Sequence, residues 1–254
     1  VSSWWKGVSD AVFALLSPKR EACLLCNQMS SLARGELGLC HACYSRIPWI
    51  RRVHCAFCGR GAYCPDCRRK PHTHFTRSRS AVHYEDTMKE LLARYKYRGD
   101  ERLKRVLGHM LVHAFQLLQL EKAASQAGLE QVRACITYVP VSERRMQERG
   151  FNQAEQMAIE LGGRVGLPVV HLLNRAKHTD KQSFKKRNER IDDLADVFEM
   201  DTKGQRNLDA LGAKVLIYIV DDVYTTGSTM NQCAMTLKKH MSIPVEIYGL
   251  TWAR

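Results

Sequence analysis

The chain is expected to fold as an α/β protein, with a doubly wound, mainly parallel sheet preceded by a small cysteine-rich segment held by metal. Three observations lead there. Strand-like runs alternate with amphipathic segments from about residue 80 onward. One run, residues 215–220 of VLIYIVDDVYTTGST, is apolar throughout and reads as a strand covered on both faces. Eight of the ten cysteines are packed between positions 23 and 67 as four Cys-x-x-Cys pairs.

Residues 1–19 read as an amphipathic helix, with Trp4 and Trp5 docking it on the protein or on a membrane surface. Asp10 interrupts its apolar part and no basic segment precedes Trp4, so it is not read as a signal peptide. Residues 20–70 carry the pairs Cys23/Cys26, Cys40/Cys43, Cys55/Cys58 and Cys64/Cys67. Without an export signal the expected compartment is the reducing cytoplasm, which argues against disulfides. A two-residue spacer lets both thiolates of a knuckle reach one tetrahedral Zn²⁺, so four knuckles suggest a double zinc ribbon. Sequential pairing, with the first four cysteines on one ion and the last four on another, is simplest; a crossed pairing has the same spacing. His41 is an alternative ligand if one site is degenerate. Saturated Cys₄ sites have no open position, so such metals are structural.

Residues 80–254 form the expected second domain. The segment KPHTHFTRSRS reads as a linker and AVHY as a short strand. Met88, Leu91, Leu92 and Tyr95 share one helical face, and a broader stripe runs from Leu103 through Val106, Leu107, Met110, Leu111, Ala114 and Phe115 to Leu118. Residues 134–141 read as the first strand of the sheet, followed by a helix facing inward through Ala154, Met157, Ala158 and Leu161. A strand is expected at 169–173, a long basic loop after it, and a last strand in VEIYGLTWA. Cys135 and Cys233 are expected to be small buried hydrophobes.

A net charge of +13 makes a polyanion partner plausible without choosing among nucleic acid, pyrophosphate and a membrane surface. With 45% apolar residues the chain is not disordered, and no run of about 20 apolar residues suggests a spanning helix.

The chemistry is expected where the apolar strand ends. Asp221 and Asp222 fall at its carboxyl end, where open α/β sheets bind ligands. Thr225, Thr226, Gly227, Ser228 and Thr229 then offer hydroxyls and backbone N–H groups at a helix start, a cradle for phosphate. A carboxylate pair beside such a cradle suits a sugar phosphate with vicinal hydroxyls. Arg144, Arg145 and Arg149, in another strand-end loop, are candidates to grip pyrophosphate. The loop 175–190, with Lys181, Lys185 and Arg187, is a candidate to close over the site.

The stretch 215–229 resembles the phosphoribosyl pyrophosphate (PRPP) signature of type I phosphoribosyltransferases. That resemblance implies Asp221 and Asp222 on the ribose 2′ and 3′ hydroxyls, residues 225–229 around the 5′-phosphate, and Mg²⁺ accompanying PRPP. Together with the four knuckles, YEDTMKELLARYKYRGD, VPVSERRMQERGFNQAEQ and HTDKQSFKKRNER, the chain resembles the ComF/GntX family over nearly its whole length. The resemblance implies a zinc ribbon fused to a phosphoribosyltransferase fold, and a role in natural competence through handling of incoming single-stranded DNA. It places Lys96, Tyr97 and Arg98 in a hood segment. It also suggests other competence proteins as partners, among them a ComF helicase, with membrane association only through them.

Two departures stand out. Thr225 occupies the position of the aspartate general base of hypoxanthine-guanine enzymes, and threonine cannot do that acid–base work at neutral pH. Ser142 and Glu143 stand where a Pro-Leu pair often follows VPV, which shortens the loop.

Three functions fit these residues: a Mg²⁺-dependent phosphoribosyltransferase of unspecified acceptor, a nucleic-acid handling module, and a non-catalytic adaptor. For the second, RSRS and KKRNER would follow a phosphate backbone, with Trp49, Phe75, Tyr97 or Phe184 stacking on bases.

Overall fold

The computed structural model describes residues 20–31, 37–68, 73–97, 100, 102–125, 133–176, 197–210 and 214–254. The chain divides into two compact units, residues 1–47 and 48–254. That division falls inside the segment expected to form one double ribbon, so the two cysteine clusters belong to different units. The N-terminal helix expected over 1–19 lies outside the described residues.

In the smaller unit, β1 (Arg20–Ala22) pairs antiparallel with β2 (Met29–Ser31), and α1 (His41–Ser45) starts from its cap Cys40 and carries Cys43, the two cysteines of the second knuckle. The Cys23 amide donates to Gln28 O at 3.0 Å, and the Cys40 amide donates to Cys23 Sγ at 3.3 Å. These bonds tighten the turn around the sulfurs.

The larger unit begins with the third and fourth knuckles and α2 (Pro65–Arg68), then enters a four-stranded parallel sheet. Its strands are β3 (Arg77–Val82), β4 (Arg133–Tyr138), β7 (Val215–Val223) and β8 (Val245–Ala253), in the order β3-β8-β7-β4. Helices α3 (Asp86–Tyr97), α4 (Leu103–Ser125), α5 (Glu143–Arg149), α6 (Gln153–Val165), α7 (Thr202–Asp209) and α8 (Ser228–His240) complete it. Successive β7 side chains alternate between faces. Val215, Ile217 and Ile219 join a core with Met230, Cys233, Ala234 and Leu237 of α8. Tyr218 faces α4, with its ring 5.3 Å from Phe115 and its hydroxyl accepting from Gln119 Nε2 at 3.0 Å. Both faces are covered, so the sheet is doubly wound.

The helix faces read from periodicity are the buried ones: Met88, Leu91, Leu92 and Tyr95 of α3 are each 1% exposed. Burial of that kind contributes roughly 1.5–3 kcal/mol per large apolar side chain. Cys135 and Cys233 are also buried.

Two expectations are corrected. First, RSRS is not a linker available to a phosphate backbone: it is most of β3, and Ser78, Arg79 and Ser80 have no exposure. Arg79 is tolerated inside because Glu121 of α4 pairs with it, and because it donates to Ala56 O at 2.9 Å and to Ser78 O. Phe75, offered as a stacking residue, is likewise 3% exposed. Second, the strand expected at 169–173 forms only a bridge between Val169 and Ile136. Pairing then passes to an antiparallel two-stranded sheet of β5 (Leu173–Arg175) and β6 (Phe198–Met200). The Ile136 amide donates to Pro168 O and the Val170 amide to Ile136 O, but the chain then turns so that Leu172 O accepts from Asp201.

Because breaking one partner of a buried pair leaves the other charge uncompensated, Glu121→Ala is expected to cost about 3–5 kcal/mol. Denaturant unfolding checks this, and the double variant with Arg79→Met should recover most of the loss.

Candidate functional site

Burial along β7 is unbroken through Val220 and relaxes at Asp221, so the acidic pair emerges at the carboxyl edge of the sheet. The Asp222 amide donates to Asp221 Oδ1 at 2.8 Å. Lys96, in the last turn of α3, contacts Asp222 Oδ2, and the two side chains are only 16% and 21% exposed. The hood helix therefore delivers a cation directly onto the carboxylates. Burial, and then the adjacent Asp222 carboxylate, push the Asp221 carboxyl up to about 7, against the pull of the Asp222 amide, Lys96 and Arg145.

The sign of the pH dependence follows. Asp221 holds its proton more tightly when folded, so the stability this contributes is present at low pH and is lost as pH rises through about 7. Asp221→Asn has no such loss. Its thermal midpoint relative to the parent should climb between about pH 4 and pH 7 and level off above; a constant difference would contradict the raised value.

The phosphate loop follows one residue later. Gly227, at φ 77°, caps α8 without any side-chain capping bond, so the cap residue itself occupies none of the first-turn amides, a helix start suited to an anion. Thr226 Oγ1 lies 2.9 Å from Ser228 Oγ and accepts from the Ser228 amide at 3.4 Å. A Cβ at position 227 would overlap the Tyr224 hydroxyl beneath it, so both backbone angle and space demand glycine.

The three candidate arginines separate. Ser142 caps α5, its Oγ accepting from the Arg145 amide at 3.3 Å. Arg144 is 88% exposed and pairs with Glu148 on its own helix at 2.7 Å. Arg149 donates to Gln153 Oε1 at 2.7 Å and to the Tyr97 hydroxyl at 2.9 Å, with its guanidinium 5.0 Å over the Tyr97 ring. Arg149 thus braces the hood helix. The charge of Arg145 is the one of the three felt at Asp221. Arg175, at the end of β5, also senses Asp221; burial and then Arg145 lower its pKa. Lys96 and Arg175 stood in segments of interest, but nothing in their neighbours' periodicity signals that they converge on the acidic pair. Lys181, Lys185 and Arg187 lie outside the described residues, as do Arg98 and Phe184.

Each cysteine group suits one tetrahedral ion. Cys23, Cys26, Cys40 and Cys43 form one set and Cys55, Cys58, Cys64 and Cys67 the other, with the sulfurs of each set within 4.8 Å of one another. Cys26 and Cys40 sulfurs are 3.8 Å apart, and those of Cys58 and Cys64 3.5 Å. A tetrahedral site with Zn–S near 2.3 Å puts its sulfurs about 3.8 Å apart. The grouping is sequential, and His41 is exposed and belongs to neither set. The third knuckle is built into the larger unit: Phe57 O accepts from Ser78 at 2.7 Å, and Cys58 O accepts from Arg254 Nη1 at 3.0 Å.

A parallel sheet with an acidic pair at a strand end, a glycine-capped phosphate loop and two Cys₄ sets able to hold zinc defines a phosphoribosyltransferase-like α/β protein with zinc-ribbon-like clusters. The chain is 31% identical over 233 residues to Competence protein ComFC of Bacillus subtilis (strain 168), covering 85% of this chain and 88% of that protein. It belongs to the ComF family. It is also 26% identical over 241 residues to Competence protein F of Haemophilus influenzae, covering 91% and 96% of the two chains. To DNA utilization protein YhgH of Escherichia coli (strain K12) it is 28% identical over 234 residues, covering 90% and 95%. No family model matches. Adenine phosphoribosyltransferase from Leishmania tarentolae aligns over 63% of this chain and 75% of its own with TM-score 0.27 and 11% identity, too low to carry a structural argument. Among the described residues, no helix is long and apolar enough to cross a membrane.

Proposed function

We propose that the chain binds PRPP with Mg²⁺ at the end of β7 and serves the handling of single-stranded DNA in natural competence. The observation that supports this best is the meeting of Asp221, Asp222 and Lys96, within reach of the Arg145 charge, at the strand end that leads into a glycine-capped helix start. In this reading Asp221 and Asp222 accept from the ribose hydroxyls, residues 225–229 hold the 5′-phosphate, and Arg145 with Arg175 faces the pyrophosphate. The like charges of the two carboxylates and the raised Asp221 suit a nearby hard cation, and Mg²⁺ would supply charge neutralisation of the departing pyrophosphate. Lys96 offers a fixed positive charge on the hood side. Lys181, Lys185 and Arg187 are proposed to close the site. Each Cys₄ set holds one structural Zn²⁺. The relatives named for competence and DNA utilization support the role in DNA uptake. Thr225 excludes base catalysis of the hypoxanthine-guanine kind, so any acceptor must be a nucleophile that needs no aspartate there.

Calorimetric titration of the zinc-loaded protein with PRPP and Mg²⁺ tests this; no saturable binding would sink it. Within the same experiment Arg145→Ala should weaken binding roughly tenfold or more, the worth of a charge-assisted contact, while Arg144→Ala should change it little. Equal effects would remove the distinction drawn from their geometry.

A further inference from the structure

Against the loop 225–228 lies a cavity of about 420 Å³, within the range of roughly 300–1,000 Å³ typical of small-molecule sites. Residues 225–228 form one wall, and Phe57, Tyr224 and Arg254 line it too; neither Asp221 nor Asp222 does. Residues 225–228 therefore border a chamber with aromatic walls that the acidic pair does not line.

Phe57 is half-buried and backed by Phe75, their centroids 4.9 Å apart and their planes inclined by 34°. Tyr224 meets Phe75 edge-on at 6.5 Å. The Arg254 guanidinium lies 4.4 Å over the Tyr224 ring and is anchored through Nη1 to Cys58 O at 3.0 Å, which fixes its position in the cavity wall. Asn231 spends its Oδ1 on the His74 amide at 2.7 Å, so the side of it that remains is a donor. Asp66, paired with Arg60 at 2.9 Å, adds an acceptor at the rim. A flat aromatic wall, a guanidinium donor, an amide donor and a carboxylate acceptor, set against a phosphate loop, match the parts of one ligand class.

We propose that this cavity takes the nucleoside of a 5′-nucleotide whose phosphate rests on residues 225–228, with the base against Phe57. The proposal rests on the reading of that loop as a phosphate holder. It adds a nucleotide subsite lined by residues other than the acidic pair, and nucleotide and PRPP would then compete for one phosphate position. Base stacking of this kind tolerates any base, because every base has a π face.

The test is equilibrium dialysis of the zinc-loaded full chain with labelled dCMP, deoxycytidine, and oligo(dT) carrying either a 5′-phosphate or a 5′-hydroxyl. Saturable binding of dCMP, displaced by PRPP and absent for deoxycytidine, is expected. Phe57→Ala, and Gln232→Trp placed to fill the cavity from α8, should each weaken dCMP roughly tenfold. PRPP affinity should be unchanged in Gln232→Trp. Asp221→Asn with Asp222→Asn should do the reverse, losing PRPP and keeping dCMP. The phosphorylated oligonucleotide binding like dCMP would identify a strand end as the source, and its failure beside dCMP binding would identify a free nucleotide; both support the subsite. A protein that binds PRPP but not dCMP, or a folded Gln232→Trp variant that binds dCMP as the parent does, overturns the proposal and leaves the PRPP reading standing. If neither PRPP nor dCMP binds, both fail together.

Discussion

Asp221→Asn combined with Asp222→Asn is expected to abolish Mg²⁺–PRPP binding while leaving the sheet intact. Both residues sit past the buried part of β7, where the strand still pairs with β8 through Asp221↔Thr251 and Val223↔Ala253. Asparagine keeps size and polarity, so the backbone pairing has no reason to change. What changes is the strength of acceptance: hydrogen bonds to a charged group contribute about 1.5–3 kcal/mol each, against about 1 for neutral ones. Losing two charge-assisted contacts, together with the favourable site for a cation, corresponds to a fall in affinity on the order of a hundredfold or more. The removal of Asp221 also relieves the burial of a charge, and then the repulsion by Asp222, that push its carboxyl up to about 7, so the variant should be at least as stable as the parent at neutral pH. Calorimetry beside a thermal melt checks both halves. Unchanged PRPP affinity in a folded variant would mean that the acidic pair does not hold the ribose.

Zinc removal is expected to damage the two units unequally. Cys58 and Cys64 are buried in the same core as Ile217, Ile219, Ala234 and Phe75, so the second cluster is part of the interior of the sheet unit. Structural zinc in small domains contributes apparent free energies of about 10–16 kcal/mol, comparable with the whole stability of an ordinary domain, about 5–15 kcal/mol. Without the ion, four thiols are left in space shaped for one metal, and the Phe57–Phe75–Tyr224 stack under the phosphate loop loses its support. Cys58→Ser with Cys64→Ser should therefore lower the thermal midpoint sharply and abolish PRPP binding. Cys23→Ser with Cys40→Ser alters only the smaller unit and should leave PRPP binding near that of the parent. Metal content by elemental analysis should fall by one ion per chain in each pair. Equal loss of PRPP binding in both variants would refute the different roles assigned to the clusters.

Much of this was legible along the chain because the signals are short-range. Met230, Cys233, Ala234 and Leu237 recur at helical spacing, and they are the residues of α8 that meet the sheet. The Cys-x-x-Cys spacer brings two sulfurs to one point by local geometry alone, and the sequential sets are the ones that converge. The run 215–220 has no polar face, and it lies in one of the two central strands of the sheet, covered by helices on both sides. RSRS failed as a local reading because composition reports charge and not its partner: the fate of Arg79 depends on Glu121, far along the chain on α4.

Local sequence was enough for most elements of the sheet unit, for the inner faces of its helices, for the membership of the cysteine sets, and for the strand end that carries the acid pair and glycine loop of the candidate site. Each depends on residues within a few turns or a few strand positions of one another, where backbone geometry dictates what is adjacent. Long-range packing was needed to show that Lys96 reaches Asp222, that Arg149 meets Tyr97, and that the second cysteine cluster lies in the core with Tyr224. Those pairings join segments remote in sequence. Their selection depends on how the apolar faces pack and on which buried charges then find a partner, and neither is written in the spacing of neighbouring residues.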